Sequence, residues 1–71
     1  MLIDVRSSSE YQMGHVKGSI NIPLPLIKDF NNPDKNLPIR LYCKSGGRAA
    51  QAKEILESLG YTDVTNLGGM Y

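Results

Sequence analysis

Apolar and polar positions along the chain form two kinds of segment: short, nearly continuous apolar runs and stretches with helical spacing. The apolar runs are bounded by turn-forming residues and predict short strands. They cover residues 2–5, 19–22, 39–42 and 63–67. The run at 39–42 is apolar apart from one arginine, which is typical of a central strand in a parallel sheet. Four strands are therefore expected.

The segments between the first three runs predict two short helices. Ser7 and Glu10 have the spacing of a capping box, so a brief helix is expected over residues 8–13, with Gly14 as its end. A second short helix is expected after the prolines that follow residue 22. Its packing face would be Leu26, Ile27 and Phe30. Residues 31–38 are polar and contain Asn-Pro and Leu-Pro steps, which predicts a surface loop.

The longest helical pattern, residues 48–59, directly follows the third predicted strand and ends before Gly60. A fourth strand and a turn at Gly68 and Gly69 complete the chain. Strands alternating with helices predict βαβ units and a parallel sheet, and ligands of such sheets bind beyond the carboxyl ends of the strands. Cys43 follows the third strand and Arg6 follows the first, so both are predicted at that edge.

Length and charge restrict the classes of protein that fit. The 71 residues predict one domain over residues 1–71, truncated at both ends because the first and last apolar segments lie so near the termini. Eight Lys and Arg against seven Asp and Glu argue against a nucleic-acid surface. No apolar run is long enough for a membrane span. A soluble protein is expected, cytoplasmic or, if a signal peptide has been lost, periplasmic.

Cys43 is the only cysteine, which excludes an intramolecular disulfide, and with His15 as the only histidine a metal site is not expected. The thiol opens the sequence CKSGGR at a strand-to-helix turn. Unpaired amides and the dipole at a helix start favour a thiolate, so a lowered pKa is predicted for Cys43. Gly46 and Gly47 allow consecutive amides to converge on one anion.

Charged residues near this turn have distinct expected roles. Lys44 and Arg48 would add positive charge at its rim, and Arg48 could bind an anionic group with two nitrogens. Asp4 interrupts a buried run and needs a partner, with Arg6 or Arg48 as candidates, so a structural role is favoured. His15 follows a helix end, where a capping or hydrogen-bonding role is commoner than catalysis.

Four motifs follow one another along most of the chain. LIDVR covers residues 2–6 and is followed by Glu10 and Tyr11, HVKGSINIP covers 15–23, CKSGGR covers 43–48, and GYTDVTNLGG covers 60–69. In this order they resemble the rhodanese family of single-domain sulfurtransferases, and within it they resemble the small bacterial phage-shock type. The resemblance implies a three-layer α/β fold, with a parallel sheet of about four strands and short helices on both faces, lacking the family's usual first strand and last helix.

The resemblance also implies a reaction by double displacement through a persulfide on Cys43, with no other cofactor. Thiosulfate would be the donor, and cyanide, a small thiol or a protein thiol the acceptor. The implied substrate-binding residues are Lys44, Ser45, Gly46, Gly47 and Arg48, supported by Asp4 and Arg6. Lys44 stands where the family often has arginine.

Two alternatives remain open. A cysteine-dependent phosphatase or arsenate reductase uses the same strand, anion loop and helix, but with a loop one residue longer than the four residues between Cys43 and Arg48. A shorter loop is too tight for a tetrahedral phosphate over the sulfur. A non-catalytic rhodanese-like module would instead bind a partner and keep Cys43 for packing, as buried free cysteines often do.

Overall fold

A computed structural model describes residues 1–69 of the chain. The strands are β1 (Leu2–Asp4), β2 (Ile20–Asn21), β3 (Ile39–Cys43) and β4 (Val64–Gly69). The helices are α1 (Ser8–Gln12), α2 (Gly47–Ser58) and a 3₁₀ helix (Leu24–Asp29). Each predicted strand and helix is present, with boundaries that differ by one or two residues.

The strands form one parallel sheet in the order β2-β1-β3-β4. In β1, Ile3 lies opposite both Ile20 of β2 and Leu41 of β3, so β1 and β3 are the central strands. The predicted parallel sheet of four strands with short helices is confirmed. The carboxyl ends of β1 and β3 lie at the same edge, which brings the residues after them together.

One face of the sheet carries the apolar core. Alternation along β3 sends Ile39, Leu41 and Cys43 to this face, and all three are fully buried. Two of the three buried residues of α2 are alanines, so the helix can approach the sheet closely. The 3₁₀ helix packs on the same face against α2. The buried residues of α2 are Ala49, Ala52 and Leu56.

The opposite face of the sheet is covered by the segment that follows α1. Tyr42 of β3 is fully buried there. Its hydroxyl accepts a hydrogen bond from the Val16 N–H at 3.0 Å and lies 3.0 Å from the Ser19 hydroxyl oxygen. Because both faces are covered, β3 is buried on both sides, as its apolar sequence predicted.

The prediction that Leu26 packs in the core is wrong, because the segment forms a 3₁₀ helix. With three residues per turn, positions three apart share a side. Leu24, Ile27 and Phe30 therefore pack against the core, whereas Leu26 is 55% exposed.

The predicted turn at Gly68 and Gly69 is also wrong, because both residues continue β4. Gly69 pairs with Cys43 across an irregularity in the register of β3 and β4. Conversely, Cys43, expected in the loop, is the last residue of β3. The end of β4 is thereby placed beside the cysteine.

Two terminal features of helices were predicted as they are observed. Ser7 accepts the Glu10 N–H while Glu10 accepts the Ser7 N–H, a complete capping box at the start of α1. Gly60 has φ of 100° after the end of α2, the left-handed conformation expected of a terminating glycine. Among residues 1–69, no helix has the length and apolar character needed to cross a membrane.

Candidate active site

The Cys43 loop, residues 44–46, joins the end of β3 to the start of α2. Gly46 precedes the helix with φ of 91°, a left-handed conformation that glycine adopts without a steric penalty. No side chain caps the first turn of α2, so its amide groups are not used by a capping residue. The Gly46 N–H instead donates to the Cys43 sulfur at 2.8 Å.

Opposing effects act on the pKa of the Cys43 thiol. Burial raises the pKa, whereas N–H groups of Ala49, Ser45, Gly46 and Arg48 lower it by donating hydrogen bonds to the sulfur, and the net pKa is lowered. The amides belong to the loop and to the first turn of α2, where the helix dipole also favours negative charge. The site therefore favours a thiolate even though Cys43 is buried.

The end of β4 forms the back of the Cys43 loop. The Asn66 side chain donates to the Gly46 carbonyl oxygen at 3.2 Å and accepts the Gly68 N–H at 2.7 Å. A Cβ atom on Gly69 would lie 2.1 Å from the carbonyl oxygen of Lys44. The loop and the end of β4 therefore approach closely, and a glycine at this position allows it.

Arg48 is paired with a carboxylate. Its Nη1 donates to Oε1 of Glu10 at 2.6 Å, and its Nη2 donates to Oε2 at 3.0 Å. Donation from Arg48 and from the Ser7 amide and hydroxyl holds the pKa of Glu10 far below its usual range. The sequence predicted that Arg48 could bind an anion with two nitrogens, and in this structure those nitrogens bind Glu10.

Asp4 and Arg6 form a buried pair below the site. Arg6 donates to Asp4 from its backbone N–H at 2.9 Å, from Nε at 3.0 Å and from Nη2 at 2.7 Å. Burial raises the pKa of Asp4, but the hydrogen bonds from Arg6 lower it by more, so the pKa of Asp4 is below its ordinary value. Arg6 also donates to the carbonyl of Gly14 and lies over the Tyr42 ring, with 5.9 Å to its centroid. Of the two partners considered for Asp4, the structure shows Arg6.

A cleft of about 170 Å³ lies between the end of α1 and the Cys43 loop. Lys44 is exposed at this cleft and makes no hydrogen bond or ion pair with any residue from 1 to 69. Met13, at the end of α1, is 90% exposed on the other side. The remaining lining residues are Arg6, Glu10 and Gly14. Ser45, predicted to bind substrate, contributes its amide to the sulfur, and its side chain is exposed.

His15 is held by α1. Its Nδ1 lies 2.8 Å from the Tyr11 carbonyl oxygen, and its ring stacks on Tyr11 with 3.6 Å between centroids. It is not among the residues that line the cleft beside the Cys43 loop. Within the described part of the chain, no cluster of three or more His, Cys, Asp or Glu could hold a metal ion.

Three contributors to the site were missed from the sequence. The sequence predicts a helix cap and a motif residue at Glu10 but not its pairing with Arg48, which lies 38 positions away. Asn66 gave no signal, because a polar residue within a short strand is unremarkable. Gly69 was assigned to a turn, and only its register with Cys43 explains its position.

The comparisons with known proteins agree with the fold. The model of the rhodanese-like domain family matches residues 1–71. The chain therefore belongs to the rhodanese-like domain family.

Individual relatives give the comparison more detail. The chain is 49% identical to thiosulfate sulfurtransferase PspE of Escherichia coli, over 96% of this chain and 68% of that protein. It is 39% identical to the uncharacterized protein YqhL of Bacillus subtilis, over 96% of this chain and 55% of that protein. Among solved structures, a rhodanese with anions from E. coli superimposes with a TM-score of 0.88 at 49% identity, over 96% of this chain and 84% of that one.

Proposed function

We propose that the protein is a thiosulfate sulfurtransferase that works through a persulfide on Cys43. The observation that carries this proposal is the convergence of amides on the Cys43 sulfur, including the Gly46 N–H at 2.8 Å. A thiolate is the nucleophilic form of cysteine. Because the amides favour that form, attack on sulfur requires no general base.

In the first step, the Cys43 thiolate attacks the outer sulfur of thiosulfate. A Cys43 S–S bond forms, the sulfur–sulfur bond of thiosulfate breaks, and sulfite leaves with the bonding electron pair. The persulfide carries one negative charge, so the amides that favoured the thiolate would also stabilise the product. The exposed ammonium of Lys44 would attract the dianionic donor and stabilise charge on the departing sulfite.

In the second step, a nucleophilic acceptor attacks the outer sulfur of the persulfide. Cyanide would take the sulfur to form thiocyanate, and a thiolate would take it to form a new persulfide. In each case the sulfur–sulfur bond to Cys43 breaks and the Cys43 thiolate is regenerated. The cleft beside Lys44 and the exposed Met13 is open to such an acceptor. Neither step consumes an external oxidant, and neither requires a metal or an organic cofactor.

Two further observations support this proposal. The relative with 49% identity is named a thiosulfate sulfurtransferase, and this chain spans 68% of that protein's length. The loop also has four residues between Cys43 and Arg48, and both terminal nitrogens of Arg48 bind Glu10. A phosphatase would need that guanidinium for its phosphate, so the geometry favours sulfur transfer.

Intact-mass measurement after treatment with thiosulfate tests the covalent step. The wild-type protein is expected to gain the mass of one sulfur atom and to lose it when cyanide is added, with thiocyanate appearing in equal amount. The Cys43→Ser variant is the matched control, since it removes the nucleophile and retains a side chain of similar size. A wild-type protein that gains no sulfur, or a variant that still gains it, would contradict the proposal.

Parallel assays address the two alternatives. Turnover of an aryl phosphate that is lost in Cys43→Ser, without sulfur transfer, would indicate a phosphatase. Absence of both activities in a folded protein whose Cys43 resists alkylation would indicate a binding module with a packing cysteine.

A further inference from the structure

Three cationic side chains surround the Cys43 loop, and two of them are paired with carboxylates. Arg6 binds Asp4, and Arg48 binds Glu10. Lys44 has no ion-pair or hydrogen-bond partner among residues 1–69 and is exposed at the cleft. The three cations therefore differ in how much of their charge is available to an incoming anion.

The Glu10–Arg48 pair is close to the reacting sulfur. The backbone N–H of Arg48 is one of the groups that lower the pKa of Cys43, and the charge of Cys43 in turn raises the pKa of Arg48. Glu10 lines the same cleft as Lys44. A change in the charge of the pair would therefore change the electrostatic potential in the cleft through which a donor approaches Cys43.

Glu10 is itself held in place from a second direction. Its Oε1 accepts the Ser7 N–H at 3.1 Å and the Ser7 hydroxyl at 2.9 Å, in addition to Arg48. The capping box of α1 thus fixes a carboxylate at the position where it meets the first turn of α2. A carboxylate that bridges two helix starts in this way restrains the guanidinium more than a mobile surface partner would.

We propose that Glu10 is a positioning residue that limits the attraction of anions to Cys43. Its carboxylate binds the two terminal nitrogens of Arg48. Among the residues around the Cys43 loop that the structure describes, Lys44 is therefore the one that offers an unpaired positive charge. This role of Glu10 applies to thiosulfate only if the protein catalyses the proposed sulfur transfer. Releasing Arg48 would convert a site with one available cation into a site with two, one of them able to bind oxygen anions with two nitrogens.

Alkylation of Cys43 by two reagents of different charge tests this inference without any sulfur transfer. Iodoacetate is an anion and iodoacetamide is neutral, and both alkylate the same thiolate with loss of iodide. The fraction of ionised Cys43 therefore cancels in the ratio of their rate constants. The ratio reports the electrostatic attraction that an anion experiences on its way to the sulfur.

In Glu10→Gln, the ratio of the iodoacetate rate to the iodoacetamide rate is expected to rise about fivefold, the order expected when the released Arg48 guanidinium can approach the anion at short range. Glutamine retains the size of the side chain and is compatible with a capping box. Glu57→Gln is the matched control, because it makes the same charge change on an exposed residue in the last turn of α2. The ratio of the control is expected to stay within a factor of two of the wild-type ratio.

The Arg48→Gln background shows whether Glu10 acts through Arg48. In that background, Glu10→Gln removes a negative charge but releases no guanidinium. The change in the rate ratio that Glu10→Gln causes should therefore be at least about threefold smaller in the Arg48→Gln protein than in the wild-type protein. Equal effects in the two backgrounds would overturn the inference, because Glu10 would then act only as a charge. An unchanged ratio in Glu10→Gln would overturn it as well.

Lys44→Gln provides a second test that does not depend on the folding of the Glu10 variants. Lys44 is exposed on the loop, so its replacement should leave the fold intact, and the ratio is expected to fall about fivefold. A ratio that does not fall would overturn the assignment of the available charge to Lys44. When sulfur transfer fails but Cys43 is still alkylated, every one of these ratios remains measurable, so the two proposals fail separately.

Discussion

Single residues contribute very differently to this small protein, and its ion pairs illustrate the range. Asp4 is fully buried and accepts hydrogen bonds from the Arg6 backbone and side chain. Asp63 and Arg40 form a longer contact of 3.2 Å in which both side chains are more than one-third exposed. A buried pair and an exposed pair should therefore respond differently to loss of the carboxylate.

Asp4→Asn is expected to lower the free energy of unfolding by about 3–5 kcal/mol, because the buried Arg6 guanidinium would lose the carboxylate that its Nε and Nη2 bind. Such a loss is a large fraction of the total stability of a small domain. Unfolding in urea, followed by circular dichroism, measures it.

Asp63→Asn is the matched control for this substitution, with an expected loss below about 1 kcal/mol, since exposed pairs gain little from their attraction. Similar losses in the two variants would show that Asp4 is not a buried structural anchor.

The sequence was informative about residues with short-range partners and less so about residues with distant ones. Asp4 was recognised as a buried carboxylate needing a partner, and Arg6 lies only two positions away. Glu10 and Arg48 are 38 positions apart, and their pairing depends on how α1 and α2 meet at the sheet edge. No local pattern carries that information, so the sequence alone suggested a free guanidinium.

At the scale of elements, the approach of β4 to the Cys43 loop is the closest packing at the site. Gly69→Ala would place a methyl group 2.1 Å from the Lys44 carbonyl oxygen and 3.1 Å from the Ser45 Cα. These are backbone atoms, so the loop or the strand must move. The substitution is expected to cost about 1–3 kcal/mol of unfolding free energy and to slow alkylation of Cys43, because the loop amides would be displaced from the sulfur.

Gly47→Ala is the control for Gly69→Ala. Gly47 is the first residue of α2, its φ is not positive, and an added Cβ would meet nothing within 4 Å. Alanine there should leave stability unchanged or raise it by up to about 1 kcal/mol. Urea unfolding and the rate of alkylation by iodoacetamide measure both variants. A tolerated Gly69→Ala would contradict the close packing of β4 against the loop.

The elements themselves were largely predictable, and the exceptions have physical causes. The strands, α1 and α2 follow from apolar runs, a capping box and helical spacing. The face of the 3₁₀ helix was predicted wrongly because its period of three, unlike the α-helical period, leaves Leu26 outside. Gly68 and Gly69 suggested a turn, but their place in β4 is set by pairing with β3, which is a tertiary contact.

At the scale of the whole molecule, the titrating groups with lowered pKa values make the stability depend on pH. Asp4, Glu10 and Cys43 each have a lower pKa in the folded chain than the ordinary value for their type. The folded state therefore binds protons on these groups less readily than the unfolded state does. In each case the contribution to stability is fully present above the unfolded pKa and is lost as the pH falls through the folded pKa.

Two separate regions of pH dependence are expected as a result. Asp4 and Glu10 should make the free energy of unfolding fall as the pH drops below about 5, because unfolded carboxyl groups begin to take up protons there. Cys43 should make it rise between its own lowered pKa and about 8.5, the ordinary value for a thiol. Urea unfolding measured from pH 3 to pH 9 would resolve both regions.

Matched variants assign each region to its groups. Cys43→Ser should remove the rise toward pH 8.5 and leave the decline in acid unchanged, because serine does not titrate in this range. Glu10→Gln should make the decline in acid shallower, because one carboxyl with a lowered pKa is gone. If Cys43→Ser keeps the full rise, the amides of the loop do not stabilise a thiolate in the folded protein. The proposed chemistry would then require Cys43 to ionise only when substrate is bound.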